Sequence, residues 1–342
     1  MIKARDPMFI AEISANHLGN FERAKELVLA AIESGATAVK FQTYTAATMT
    51  LDLETPDFRI SEEHPLWGGQ KLFSLYEQAH TPWAWHADLF KICRDRDVIP
   101  FSSPFDLTAV DFLEELNVPM YKIASMETGD LPLIKRVAET GKPLIISTGA
   151  TEWEEIEDVV ATVQKVGKSD LTLLVCTSSY PSEPGDAHLN RIATLRNRFG
   201  VKVGISDHTL GIGVSIAAIA LGATAIEKHF TLRRSDGGAD GAFSMEPEEF
   251  ALLVAEGNSA FKALGDPAWS MQESEKESRR LRRSLYVVKD VKAGDIATLE
   301  NVRAIRPGGG CSPKLLGGML GKKFQSNLSI GTPMSPDYLE GS

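Results

Sequence analysis

The sequence predicts an α/β fold, a closed (β/α)₈ barrel of the TIM type followed by a small β-rich module, and three observations predict it. Eight short β-branched apolar runs recur over the first 265 residues, separated by segments whose apolar positions step by three and four. The runs alternate little between apolar and polar residues, as strands covered on both faces do. Around residues 265–283 the rhythm breaks into a charged connector, "GDPAWSMQESEKESRRLRR", and the remainder is rich in glycine and turn signals. Strict alternation of strands and helices implies a parallel sheet, and eight units in about 250 residues imply closure into a barrel. A doubly wound open sheet is the competing arrangement. It carries a glycine-rich turn after its first strand, where this chain has "ANHLGN".

In chain order, "MFIAEIS" (8–14) is the first strand, and the helix-periodic "NFERAKELVLAAIESG" (20–35) leads to the second, "ATAVKFQT" (36–43). A long insertion, residues 44–81, then delays the next helix, "WAWHADLFKICRDRD" (83–97). An insertion after a barrel strand falls on the face where loops build pockets. Strands follow at "VIPFSSP" (98–104), "MYKIAS" (120–125), "PLIISTG" (143–149), "LTLLVCTSS" (171–179), "VKVGISD" (201–207) and "ATAIEKHF" (223–230). Helices are expected over 106–116, 152–167 and 213–222, with Asp106 as a cap and Gly35, Gly167 and Gly222 as stops. The expected domains are a barrel over 1–265, a linker over 266–283 and a module over 284–342. That module is small for a free-standing core and is expected to pack on a barrel, its own or a second subunit's.

Apolar residues at 43% and charged residues at 24% describe a globular chain rather than a disordered one. A formal charge of −10 argues against nucleic acid as the main partner. No apolar run reaches membrane-spanning length, and "MIKARDPMFIAEIS" lacks a signal-peptide core, so a cytoplasmic protein is expected. Cys93, Cys176 and Cys311 are widely separated, have no zinc-site spacing, and read as small buried hydrophobes of a reducing compartment.

Barrel function is read at the C-terminal strand ends. There the chain places Glu12, Ser14, Asn16 and His17, then Lys40, Gln42 and Thr43, then Ser102 and Ser103. Lys122, Ser125 and Glu127 follow, with Ser147, Thr148, Thr177, Ser178 and Tyr180. The last two strands supply Ser206, Asp207, His208, Glu227, Lys228 and His229. Each has an ordinary reading as a cap, a turn former or a snorkelling side chain, yet burying the whole set at one mouth without a ligand would be costly. Two lysines among hydroxyls suit a carboxylate plus a phosphate. Two histidines on adjacent strands, with carboxylates nearby, suit a divalent metal such as Mn²⁺, Co²⁺ or Mg²⁺. No dinucleotide fingerprint or Walker A motif is present, which argues against NAD and ATP.

The motifs "AEISANHLGN", "AVKFQTY", "PFSSPFDLTAVDFLEELNVPMYKIAS", "IISTG", "VCTSSYP", "GISDHTLG" and "AIEKHFT" fall in an order that strongly resembles the sialic acid synthase family. The resemblance includes a C-terminal antifreeze-like (SAF) β-clip module from Ser284. It implies a metal-dependent condensation of phosphoenolpyruvate with an N-acyl amino sugar, with phosphate released by C–O cleavage. Carried over by motif, Lys40, Ser103, Lys122, Ser125, Ser147, Ser178 and Ser206 would hold phosphoenolpyruvate, although Ser178 stands where the sialic acid branch often has asparagine. His208 and His229 would hold the metal. Glu12 and Tyr180, with Gln42, Glu127, Glu227 and Asp240, would face the sugar or the reacting atoms. Arg306, in "IRPGGG", matches an arginine that reaches a partner's active site, which implies a domain-swapped homodimer.

"GGADGAFSMEP" (237–247) has Gly241 where sialic acid synthases commonly have histidine, and is similar to the pseudaminic acid branch of that family, with Met245 for leucine. The insertion resembles the same branch, although Ala84 replaces a glutamate expected there. Trp67, Phe73, Tyr76, Trp83 and Trp85 either pack the insertion on the barrel or wall a pocket for a 6-deoxy sugar. The acceptor this implies is 2,4-diacetamido-2,4,6-trideoxy-L-altrose, with N-acetylmannosamine and the legionaminic acid precursor as alternatives. A non-catalytic sugar-binding barrel is the reading from another class, but decay would first remove costly charged residues, and they are present.

Overall fold

Parallel pairing runs unbroken from β1 (Met8–Glu12) through β2 (Ala38–Thr43), β3 (Ile99–Pro104), β4 (Tyr121–Ile123), β5 (Leu144–Ser147), β6 (Leu171–Cys176) and β7 (Lys202–Ser206) to β8 (Ala225–His229), which returns to β1. This computed structural model describes residues 6–63 and 67–341; the leader reading at residues 1–5 and residues 64–66 of the insertion lie outside them. Among the described residues the eight strands close a barrel, as the alternating pattern predicts. The register sets Glu12 opposite both Lys40 and His229, and Ser206 opposite Glu227. Side chains at one level of neighbouring parallel strands share a face, so this register brings the charged residues together.

The helices form where capping and apolar spacing agree. Asp106 accepts from the backbone N–H groups of Thr108 and Ala109 and opens the helix Leu107–Glu115. The helix Trp153–Val166 buries Ile156, Val159, Val160 and Val163 at helical spacing and stops at Gly167, whose φ of 70° is the left-handed cap expected there. Helical and strand side chains merge into one core that includes Phe9, Phe41, Phe90, Phe101, Tyr121 and Phe250.

The insertion is only partly irregular. It contains a short helix (Ala46–Met49), a 3₁₀ turn (Pro56–Phe58) and the helix Leu72–Ala79, none of which the sequence reading anticipated. At eight residues, with Lys71 making no side-chain cap, the last carries weak local signals. Aromatic side chains fasten this segment. Trp83 stacks on Phe112 with centroids 4.7 Å apart and donates to Tyr44 O at 3.1 Å. Trp85 meets His17 edge-on, and Thr81 Oγ1 lies 3.2 Å from His17 Nε2. Burial pushes the imidazoles of His17 and His86 down to about 4, so both pack as neutral rings.

The chain divides into two compact units, Met1–Gly265 and Asp266–Ser342. In the second, β9 (Ser284–Val287) pairs antiparallel with β10 (Val302–Ile305), and Leu285, Val287, Val302, Phe324, Met334 and Leu339 form a core of its own. No helix among the described residues is long and apolar enough to cross a membrane.

Candidate active site

A cavity of about 430 Å³ opens at the C-terminal mouth of the barrel. Lys40, Lys122, Ser147, Ser206 and Glu227 reach it from within their strands, and Gln42, Ser125, Glu127, Tyr180, His208, His229 and Asp240 line it from the strand ends and following loops. Glu12 is fully buried beside Lys40 and is not part of the lining. Ser103 and Ser178 are also outside the lining. Ser178 sits beside Gly149, where a β-carbon would overlap the Ser178 and Ser125 hydroxyls. Arg306 belongs to the second unit, exposed just after β10.

Two lysines and two carboxylates set the electrostatics of the floor. Lys40 Nζ lies 2.5 Å from Glu12 Oε2 and 3.9 Å from Glu227 Oε1, while Lys122 Nζ is 3.4 Å from Glu227 Oε1. Ser206 Oγ donates to Glu227 Oε1 at 3.0 Å. Burial works against charge on Glu227, but Lys122 and Lys40 outweigh it and keep the carboxyl below its ordinary value. Burial and the Glu227 charge push Glu12 up. Burial also lowers Lys122, whereas the two carboxylates overcome burial at Lys40 and raise it. Lys40 is therefore held in the ion pair, and Lys122 is the more loosely compensated cation.

Several buried polar atoms here have no hydrogen-bond partner among the described residues: Ser103 Oγ, Ser147 Oγ, Glu127 Oε2, Glu227 Oε2 and His229 Nδ1. Leaving such a group unsatisfied costs about 1–3 kcal/mol, and their convergence on one mouth marks a place built for a polar ligand.

His208 Nδ1 donates to Thr177 O at 2.9 Å, since a carbonyl can only accept, so Nε2 is the nitrogen a metal would take once it gives up its proton and the contact to Cys176. The His229 ring centroid is 5.3 Å from that of His208, and its Nδ1 is 3.7 Å from Asp240 Oδ2. Burial, with the positive charge of His208 and the lysines, holds His229 well below the usual imidazole range, so it is neutral. Tyr180 tilts over His208 at 4.4 Å, and Phe243 meets His229 edge-on at 4.9 Å. Ser14, with φ at 45°, donates to Asp240 Oδ2 and accepts from Gln42 Nε2 at 2.9 Å. A left-handed serine in such a bonded position is strain kept at a site. Among the described residues no three His, Cys, Asp or Glu side chains are grouped to hold a metal ion. Metal chemistry here would rest on the two imidazoles plus atoms from the ligand or water.

One cysteine departs from its expected role. Cys176 ends β6 on the parity of Ser178 and Tyr180 and lines the cavity, with Ser125 Oγ 3.5 Å from its sulfur. Burial would raise this thiol, but the hydrogen bond and charge of His208 pull it down to about 7. Its place in "VCTSSYP", at a strand end, was the available signal. Cys93 is a core hydrophobe as expected, pushed up to about 12 by burial, and Cys311 is only partly buried. Thr43 and Ser102 also leave the site; their hydroxyls lie 2.7 Å apart, and His86 Nε2 is 2.9 Å from Thr43 Oγ1, all buried.

Glu127, on the turn after β4, is pushed up to about 7 by burial, only partly offset by Lys122 and Lys40. A raised carboxyl contributes stability below its unfolded value of 4.5 and loses it as pH rises through about 7. The Glu127→Gln variant lacks this titration. Its melting temperature relative to the wild type is expected to rise between pH 5 and pH 8, by the equivalent of about 2–3 kcal/mol. Parallel pH profiles for the two proteins would remove Glu127 from the buried set.

The same cavity has an apolar wall. Tyr44, Met49, Ile60, Leu72, Leu75 and Tyr76 come from the insertion, and Phe105 and Met126 from later loops. Of the aromatic residues singled out in the sequence, Trp67 and Tyr76 line the cavity, Trp83 and Trp85 pack the insertion, and Phe73 is outside the lining. Trp67 Nε1 donates to Ala239 O at 3.1 Å and ties the insertion to the loop that carries Asp240.

Comparison with known proteins agrees with this geometry. The chain matches the NeuB family over residues 27–268 and the SAF domain over residues 282–340. It is 43% identical to the pseudaminic acid synthase of Helicobacter pylori over 98% of each chain. It is 37% identical to the N,N'-diacetyllegionaminic acid synthase of Campylobacter jejuni, over 94% of this chain and 96% of that one. The solved N-acetylneuraminic acid synthetase of Leptospira borgpetersenii superposes with a TM-score of 0.72 at 32% identity, covering 80% of this chain and 90% of that one. A closed barrel with a buried lysine floor, followed by a β module matching its own domain family, thus places the chain in the NeuB family, with a SAF domain at its C-terminal end.

Proposed function

We propose that the protein condenses phosphoenolpyruvate with 2,4-diacetamido-2,4,6-trideoxy-L-altrose and water to give pseudaminic acid and phosphate. The observation that carries this reading is the division of one cavity between a two-lysine floor with unsatisfied hydroxyls and an apolar wall. The floor suits a small doubly anionic ligand, and the wall suits a sugar with a methyl group in place of a hydroxyl. The higher identity to a pseudaminic acid synthase than to a legionaminic acid synthase supports the choice of acceptor.

Lys40 and Lys122, with Ser147 and Ser206 and the nearby Ser103, Ser125 and Ser178, hold the phosphoenolpyruvate carboxylate and phosphate. Gln42, Glu127, Glu227, Asp240 and Tyr180 face the acceptor. His208, whose Nδ1 is engaged by Thr177 O, and the neutral, unpartnered Nδ1 ring of His229 are a donor set that fits a divalent cation such as Mn²⁺, Co²⁺ or Mg²⁺, which would take the place of the His208–Cys176 hydrogen bond. Such an ion, when bound, supplies Lewis-acid polarisation of the acceptor aldehyde. The floor orients the enol carbon towards that aldehyde, and a C–C bond forms while the aldehyde oxygen takes a proton. Water adds to the resulting cationic carbon, and the C–O bond to phosphate then breaks. Glu12, behind the lining and fixed by Gln42 and Lys40, stabilises that cation through its charge, and the proton of the adding water leaves on the departing phosphate.

The active form is a domain-swapped homodimer in which Arg306 of a second copy reaches this mouth. Leu18, Leu51, Leu53, Leu107, Met126 and Leu210, all following barrel strands, remain exposed around it and support a covering partner. An activity that consumes phosphoenolpyruvate belongs in the cytoplasm.

The test is phosphate release from phosphoenolpyruvate and Mn²⁺ with each candidate sugar. kcat/KM is expected to be at least about tenfold higher with the trideoxy-altrose than with N-acetylmannosamine or the legionaminic acid precursor. A preference for N-acetylmannosamine would refute the acceptor assignment.

A further inference from the structure

Behind the two imidazoles lies a buried ion pair that the chemistry above does not use. Lys228, only 2% exposed, sits between Glu227 and His229 on β8 but points to the other face of the strand, outside the cavity lining. Its Nζ donates to Thr209 O at 2.5 Å and lies 3.2 Å from Asp207 Oδ2. Asp207 Oδ1 accepts from Thr209 N at 2.9 Å and from Thr209 Oγ1 at 2.7 Å, closing a turn around His208. Asp207 Oδ2 also accepts from Ser215 Oγ at 2.6 Å, and Asp207 N donates to Glu227 O at 2.9 Å. Each histidine therefore follows directly after one member of the pair, and the pair joins the ends of β7 and β8.

Stability alone does not account for this arrangement. A buried ion pair roughly breaks even against apolar residues of the same volume, because desolvation cancels much of the attraction. What it supplies is geometry: a cation with directed donors locks the 207–209 turn to the neighbouring strand. We propose that Asp207 and Lys228 are positioning residues that set the separation and orientation of His208 and His229 for a divalent cation. The proposal rests on the two-imidazole reading above.

The experiment measures Mn²⁺ binding alone, without substrates, by the electron spin resonance signal of the free ion. It compares the wild type with the His208→Ala, Lys228→Met, Lys228→Arg and Ser215→Ala variants, each with its melting temperature. The wild type is expected to bind and His208→Ala to lose binding. Lys228→Met is expected to bind about 10–100-fold more weakly, with a lower kcat but a KM for phosphoenolpyruvate within about twofold of the wild type. Lys228→Arg recovers part of that affinity. Ser215→Ala leaves both charges paired and weakens binding by a few-fold, which keeps the test decisive if Lys228→Met does not fold. Unchanged Mn²⁺ affinity in a folded Lys228→Met protein, or in Ser215→Ala when Lys228→Met is unfolded, overturns the positioning role even if melting falls. Absence of Mn²⁺ binding in the wild type overturns the two-imidazole reading itself, and this proposal with it.

Discussion

The His229→Ala variant is expected to lose at least about a thousandfold in kcat/KM and yet to melt no lower than the wild type. The two halves of this expectation have one cause. The Nδ1 of His229 is buried and unpartnered, and its surroundings are positively charged, so the folded chain gains little from the ring. An unsatisfied buried nitrogen costs about 1–3 kcal/mol, and removing the ring relieves that cost. The space left behind joins an existing cavity rather than creating a closed void, so the usual penalty for truncating a core side chain is small. Thermal melting beside phosphate release, with added Mn²⁺, tests both halves. A large fall in melting temperature would make His229 a structural residue, and retained turnover would remove it from the chemistry.

Lys40→Met and Lys122→Met are expected to diverge in stability while agreeing in function. Either change removes a cation from the floor and should raise the KM for phosphoenolpyruvate about 10–100-fold, the value of one charge-assisted contact. Removing Lys40 also strands Glu12, which is fully buried and has no other ion-pair partner among the described residues. Breaking a buried pair from one side costs about 3–5 kcal/mol. Removing Lys122 leaves Glu227 with Lys40 at 3.9 Å and the Ser206 hydroxyl at 3.0 Å, so no carboxylate is orphaned. Urea unfolding should separate the two variants clearly. The double change Lys40→Met with Glu12→Leu should recover stability without activity. Equal destabilisation by both single changes would contradict the pairing described for the floor.

Most of the architecture was legible in the residues because a doubly covered strand leaves a plain mark. All eight expected runs became strands, each trimmed by one to three residues, and the fourth is the shortest at Tyr121–Ile123. Asp106 and Gly167 marked their helix ends because capping is local. The site was less legible, since polar character at a strand end does not say which face the side chain takes. Lys40, Lys122 and Ser206 turned inward, while Thr43, Ser102 and Lys228 turned outward into networks of their own. Cys176 carries no such mark in the sequence, because a cysteine resembles a small hydrophobe until its neighbours are known. The apolar wall was hidden for another reason: Met49, Ile60, Leu72 and Leu75 meet only after an aperiodic segment has folded back on the barrel.

The two sides of the cavity are also encoded differently. The charged floor is assembled from strands scattered through the barrel, so altering it means coordinated changes at distant codons. Most of the wall comes from the single stretch of residues 44–79. A recombination event, or a short run of substitutions confined to that stretch, can therefore reshape what the mouth accepts while the lysine chemistry is inherited unchanged. Selection for a new acceptor has a narrow target in this gene, and so does a laboratory library.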